Sequence, residues 1–443
     1  MESLPNELLI QIASFLDRDA PSVIKIFHEP STDLTISEDQ PLKALSRVSW
    51  RWRKIVIPIL FRFARLELDR DPQWVPIDAK LLDNMQSNIG TLSTHEMQIY
   101  LSMRNKLKTS TFSAFDKDFD DLLVELCRIQ DGDHFLRSAP FTQWLPHLPK
   151  TFDAFSQFVS DYGLKKHIQS LVVFTDKEYE LQHVARADGS LYYAVSNLWN
   201  QIFSALDPPR FVVAAPPATL AGLLDSSMLS ADVWAFEMKC HYLELCQPGS
   251  GEFRRHVEDC DRQHGHSLIH LRPWTHIRYN EGPSITAYST YEFHLKQSPK
   301  ILYLLLARLC KEAQDCCNIR SFSFIAVFPL STNVVTTLRA LQKVRTLRSV
   351  HFQLAPGEEN KLIDEPWRVG RAQLSDLWLE WNGSYSAIAR FLRLYEFQEE
   401  GEFMSSDCNL HYLADNVDEK LESLRESGIA WTKTGTGKWK RES

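Results

Sequence analysis

The chain has 443 residues, 44% of them hydrophobic and 24% charged, which is the composition of a folded globular protein with room for about two to four compact units or one extended array. A formal net charge of -8 disfavours general binding to a nucleic-acid backbone or to an anionic membrane surface. The 8 cysteines are scattered, with only Cys316 and Cys317 adjacent, which speaks against a small disulfide framework and for reduced thiols.

The chain opens MESLPNELLIQIASFLDRDAP. Its spacing predicts a helix with Pro5 at the first position, running to about Asp17, with Glu7 at the positive end of the helix dipole. Leu8, Ile12, Phe15 and Leu16 form an apolar stripe, and Leu4 lies just outside, where it cannot cap. A second stripe, Leu45, Val48, Trp52, Ile55 and Ile59, follows in PLKALSRVSWRWRKIVIPILFRF, and Pro58 should bend or end that helix. Trp50 lies off this stripe and is free to touch either a partner or the next domain. A helical unit of about 60 residues rarely buries enough apolar surface alone, so a partner or the following domain must complete it.

These residues resemble the F-box family. Leu4-Pro5-Asn6-Glu7-Leu8-Leu9 matches its opening, Leu45-Ser46-Arg47-Val48-Ser49-Trp50-Arg51-Trp52-Arg53 its later segment, and Ile57-Pro58-Ile59-Leu60-Phe61 its close. The intervening RDAPSVIKIFHEPSTDLTISEDQP is longer than the family pattern, as an inserted loop or an additional turn would make it. The resemblance implies docking onto the Skp adaptor of a cullin-RING ubiquitin ligase. The surface implied comprises Leu4, Pro5, Leu8, Ile12, Leu16, Leu45, Val48, Trp50 and Trp52.

From about Asp69 to Asp133 the pattern is helical and irregular, FDDLLVELCRI being its clearest amphipathic piece. A strand-like theme then recurs: apolar, two variable residues, apolar, one variable, apolar. It starts at Phe63, Ile168, Cys240, Ile319, Leu347 and Leu374, and the last three copies follow one another at a nearly constant interval. Helical stretches, VVTTLRALQKV and SAIARFLRLYEF, follow the fourth and sixth copies. Strand plus helix at that period is similar to a leucine-rich repeat. Only Asn382 falls on the repeat's Asn position, so the expected fold is α+β or α/β, a small helical F-box followed by an irregular leucine-rich-repeat-like solenoid. The alternative is an ordinary α/β domain in which short apolar alternations recur.

The expected boundaries are an F-box over 1–62, a helical linker with a first repeat-like segment over 63–139, a solenoid over 140–415 and a tail over 416–443. On a solenoid, Asp376, Trp378 and Glu380 would share the concave face with His351 and Gln353 and form the target-binding surface. Trp378 is then either a recognition hot spot or a residue packed under a loop.

Residues 240–270 concentrate Cys240, His241, Cys246, His256, Cys260, His264, His266 and His270. His256, Cys260 and His264, four apart, would share a helix face and suit zinc, yet the paired spacing of a structural finger is missing. TGTGKWK departs twice from a phosphate loop, with Thr432 in place of the first Gly and Trp439 in place of the Ser or Thr. No nucleophile elbow, metalloprotease helix or dinucleotide fingerprint occurs, so no catalytic residue, metal or cofactor is expected.

Glu2 and Glu7 stand where an export signal carries positive charge. The most apolar stretch, ILYLLLARLC, is about half a bilayer span and contains Arg308. A cytoplasmic and/or nuclear protein is expected, non-catalytic, holding the adaptor with its N-terminus and an unknown target protein with its solenoid. The alternatives are an F-box protein in a Skp complex that transfers no ubiquitin, and a metal-dependent protein centred on 240–270.

Overall fold

The computed structural model describes residues 4–37, 39–71, 73–74, 94–95, 97–98, 101–102, 142–179, 190–224, 238–247, 267–312, 318–357, 373–425 and 431–441. The chain divides into a large unit, Met1–Asp69 with Pro146–Ala187 and Val195–Ser443, and a small one, Arg70–Leu145 with Asp188–Ala194. The small unit contains the short antiparallel pair β2 (Gln73–Trp74) and β3 (Thr142–Gln143). The amphipathic 119–129 stretch lies outside the described residues.

The N-terminus of the large unit is a bundle of α1 (Asn6–Leu16), α2 (Pro21–Ile24), α3 (Pro41–Leu45) and α4 (Trp50–Leu60). Pro5 stands immediately before α1 rather than inside it, and its carbonyl accepts the Leu9 N–H at 3.2 Å. No side chain caps this helix. Arg51 of α4 holds the entry instead, donating to the Leu4 carbonyl and, through Nε at 3.0 Å and Nη2 at 2.9 Å, to Asn6 Oδ1. Ser49 Oγ caps α4 by accepting the Trp52 N–H. Pro58 falls in the last turn of α4, which ends soon after at Leu60. Leu9, Ala13, Leu42, Trp52 and Val56 make a small core that Leu4, Leu45, Ile55, Ile59 and Leu60 flank.

Beside the bundle lies an open ten-stranded sheet. Its strands are β1 (Phe63–Glu67), β4 (Ser170–Phe174), β5 (Arg210–Ala215), β6 (His241–Cys246), β7 (His276–Pro283), β8 (Ser321–Val327), β9 (Ser349–Gln353), β10 (Glu402–Ser405), β11 (Trp431–Gly435) and β12 (Lys438–Arg441). They add in chain order, except that β12 lies between β10 and β11. Pairing is parallel from β1 to β5 and from β7 to β10, and antiparallel from β5 to β7 and from β10 to β11. The protein is therefore a mixed α/β fold, with eleven α-helices among the described residues. None of those helices is long and apolar enough to cross a membrane.

Five of the six recurring apolar themes fall on strands, at β1, β4, β6, β8 and β9. The sixth does not. Leu374 opens a long helix, Leu374–Leu394, which a Gln373/Asp376 capping box starts and whose buried residues Leu377, Trp381, Ser384, Tyr385 and Ile388 keep helical spacing. The sheet position expected for it is filled by β10. Residues 431–441, within the 416–443 stretch expected as a tail, form a β-hairpin at the sheet edge. Of the phosphate-loop-like glycines, Gly435 ends β11 and Gly437 lies in the turn, where it has φ +64° and a Cβ would collide with the Ser405 carbonyl oxygen.

Alternation gives the sheet two unlike faces. Leu171, Val173, Phe211, Val213, Leu243, Leu245, Ile277, Phe322, Phe324, Val350, Phe352 and Phe403 face one side and are fully buried. Ser170, Arg210, Glu244, His276, Arg278, Asn280, Ser323 and His351 occupy the other parity.

The inserted segment between the F-box-like motifs lies across this polar face as a strap. Ile26, Phe27 and Leu34 pack on Val172, Phe174, Val212, Ala214 and Tyr242. The Tyr242 hydroxyl both accepts the Ser31 N–H and donates to the Ser31 carbonyl, each at 2.6 Å. Asn280 Nδ2 donates to the Ile26 and His28 carbonyls at 2.8 Å. Pro30 runs so close to Gly282 (φ +73°) that a Cβ there would meet its Cδ at 2.8 Å.

Glu281, 2% exposed, accepts from Asn333 Nδ2 at 2.7 Å, and burial pushes its pKa up to about 8. His241 and His351 move the opposite way, burial lowering each to about 3.

Two outcomes test this packing. Tyr242→Phe, which leaves the Ser31 amide and carbonyl without their partner, should cost about 1–3 kcal/mol in urea unfolding and speed tryptic cleavage at Lys25; unchanged cleavage would mean the strap is held elsewhere. Glu281 is an acid whose pKa rises on folding, so it stabilises below 4.5 and loses that contribution as pH rises through about 8. Glu281→Gln should therefore gain melting temperature over the parent progressively from pH 5 to pH 8, and a pH-independent difference would contradict the assignment.

Candidate functional site

Helix α1 turns an apolar stripe to solvent. Pro5, Leu8, Ile12 and Leu16 are exposed along α1, and Phe15 beside them is 88% exposed. Val48, 67% exposed, and Trp50, 60% exposed, also reach solvent, in the turn before α4 and at its first residue. Lys54 Nζ sits 5.6 Å from the Trp50 ring centre. Single exposed apolar residues are ordinary, and here several fall on one small module.

Of the nine residues expected to meet an adaptor, six are therefore exposed, and Leu4 and Leu45 are half-buried against the bundle core. Trp52 must be corrected: it is 6% exposed and packs inside the bundle with Leu9 and Val56. The reason is the break between α3 and α4. Helical periodicity does not run through residues 46–49, so Val48 and Trp52 are not on one stripe. Phe15 was legible in the α1 stripe, yet its near-complete exposure is a property of the folded bundle.

The expected target face is not assembled as the sequence suggests. His351 and Gln353 lie on β9 and are both buried. His351 bridges Ser323 Oγ through Nδ1 and Ser406 Oγ through Nε2, each at 2.7 Å, with the Phe27 ring of the strap edge-on at 6.3 Å. Asp376, Trp378 and Glu380 lie in the first turns of the helix Leu374–Leu394, not on a neighbouring strand. Asp376 accepts the Gln373 N–H in the capping box, and Glu380 Oε2 accepts the Ser331 N–H at 2.6 Å. Trp378 is half-buried between Phe328, Trp381 and Tyr412, with ring centres at 4.9, 6.0 and 6.1 Å. Helical geometry at 374–380 separates these side chains from β9, so the five share no face.

Under the strap sits a charged group that the strand theme concealed. Glu244, with its side chain 3% exposed, lies between Arg210 and Arg278, at 2.5 Å from each. Arg210 also donates to Ser22 Oγ at 3.2 Å and to the Ser22 carbonyl at 2.8 Å, while the Arg278 guanidinium stacks 4.6 Å from the Phe27 ring centre. Charges at alternate positions of otherwise apolar strands, as in HYLELC and HIRYN, were the available signal.

The Cys/His region is partly described. His256, Cys260, His264 and His266 lie outside the described residues. His241 faces Tyr279, whose hydroxyl is 2.6 Å from Nδ1, and Cys240 packs with Tyr242 on the opposite parity. Burial pushes the Cys240 and Cys246 thiols up to about 12, which disfavours the thiolate a metal needs. Among the described residues no group of three His, Cys, Asp or Glu side chains is placed to hold a metal ion.

Compared with protein-family models, with curated proteins and with solved structures, the chain matches none.

Proposed function

We propose that the protein is a substrate receptor of an SCF-type cullin-RING ubiquitin ligase, docking the Skp adaptor with its N-terminal bundle and a target protein with its sheet domain. The observation that carries this reading is the exposure of Leu8, Ile12, Phe15, Val48 and Trp50 on a module whose Leu-Pro entry and later segment follow the F-box pattern. Apolar side chains in water gain free energy when a partner covers them. The receptor itself performs no bond chemistry. It raises the effective concentration of target lysines near a ubiquitin-charged enzyme.

The sheet domain is read as an irregular relative of the leucine-rich-repeat solenoid. Supporting this, strands are added almost in chain order, and β8 and β9 sit side by side in parallel with an intervening helix, Ser331–Leu341. The antiparallel β6, β11 and β12 are where it departs from that architecture.

Co-expression of the full chain with the Skp adaptor should give a complex that co-elutes on size exclusion. A Phe15→Asp/Val48→Asp variant, altered only at exposed positions, should keep its circular dichroism and lose adaptor binding at least tenfold. Undiminished binding by the variant, or no binding by the intact chain, would overturn the reading.

A further inference from the structure

The repeat that built β8 and β9 carries a second feature, an Arg-Ser pair at its start. Arg320-Ser321 recurs one repeat later as Arg348-Ser349. In the sheet Ser321 pairs with Ser349, Ser349 with Glu402 and Glu402 with Lys440, so the two pairs lie on neighbouring strands, about 4.8 Å apart. Together they line a cleft of about 630 Å³ at the amino ends of β8, β9 and β10. The strap covers β4 to β7 and reaches β9 through Phe27, but none of its residues lines this cleft.

The cleft sets three cations, Arg320, Arg348 and Lys440, against three carboxylates, Glu399, Glu400 and Glu402. Two of the cations are met by the chain's own loop. Glu399 pairs with Arg348 at 2.6 Å, and Glu400 pairs with Lys440. Both carboxylates lie on the solvent side, 56% and 58% exposed, and ion pairs so exposed contribute little stability. A donor remains unfilled beneath them: Arg348 Nε is buried without a hydrogen-bond partner.

We propose that this cleft binds an acidic peptide segment with adjacent carboxylates, for which Glu399-Glu400 is the internal stand-in. Arg348 and Lys440 take the carboxylates, and the Ser321 and Ser349 hydroxyls bond the peptide's polar groups. The site deepens the receptor reading by giving its target side a chemistry, acidic stretches of a protein, and rests on that reading only for the peptide's origin.

The test is fluorescence anisotropy of the full chain with fluorescein-labelled hexaglutamate, with hexaglutamine as the uncharged comparison. Hexaglutamate should bind and hexaglutamine should not. Glu399→Gln/Glu400→Gln, at exposed positions that leave folding intact, should tighten hexaglutamate binding about five- to tenfold by removing the competing pairs. Glu419→Gln/Glu422→Gln makes the same change in net charge elsewhere and should leave binding within about twofold. Arg348→Gln/Lys440→Gln should abolish it. Equal tightening by both glutamine pairs, or no hexaglutamate binding by any form, overturns the cleft. Adaptor capture measured on the same proteins separates the two readings: capture retained without hexaglutamate binding removes the cleft alone, and hexaglutamate binding as expected without capture leaves the cleft standing and removes the ligase receptor.

Discussion

One buried carboxylate organises the way the N-terminal module meets the sheet. Glu244 sits at the centre of β6 with almost no access to water, and a lone carboxylate there would cost several kcal/mol. Arg210 and Arg278, from the strands on either side, neutralise it. Each arginine then has a second task, Arg210 holding Ser22 and Arg278 lying against Phe27. Removal of the carboxylate would leave two guanidinium groups beneath the strap with no reason to keep those positions. The buried charge is thus a device for orienting two cations, and the cations hold the strap.

A second buried carboxylate does similar work at the far end of the sheet. Asp407 accepts from Trp381 Nε1, the Tyr385 hydroxyl and the Leu354 and Ala355 amides, all within 2.8–3.0 Å. Burial raises its pKa while these donors pull it back. The long helix Leu374–Leu394 is tied in this way to the carboxyl ends of β9 and β10.

The strap makes the bundle and the sheet one packed body. Its contacts are supplemented by Arg62, whose carbonyl accepts the Gln169 and Ser170 amides and whose side chain pairs with Asp17. Small helical modules gain little from their own cores, and this one adds sheet contacts on one side while leaving Phe15, Val48 and Trp50 in water on another. Under the receptor reading, a rigid link between adaptor surface and sheet would hold a bound target at a defined distance from the ligase.

The sequence by itself determined the local elements. Leu-Pro before an amphipathic stripe gave α1 and apolar alternation gave five strands, because periodicity depends only on neighbours along the chain, whereas the stripe read from Leu45 to Ile59 hid the break at which Ser49 starts α4. It failed where two periods overlap: Leu374, Leu377 and Leu379 satisfy a strand theme, but the apolar positions up to Ile388 continue at helical spacing, and the longer pattern wins. Tertiary structure alone decided that an insertion would fold over the polar face, that Trp52 would turn inward while Trp50 stayed in water, and that Arg320-Ser321 and Arg348-Ser349 would share a cleft. Those outcomes depend on pairings between segments far apart in the chain, such as Ser31 with Tyr242, whose geometry no local pattern encodes.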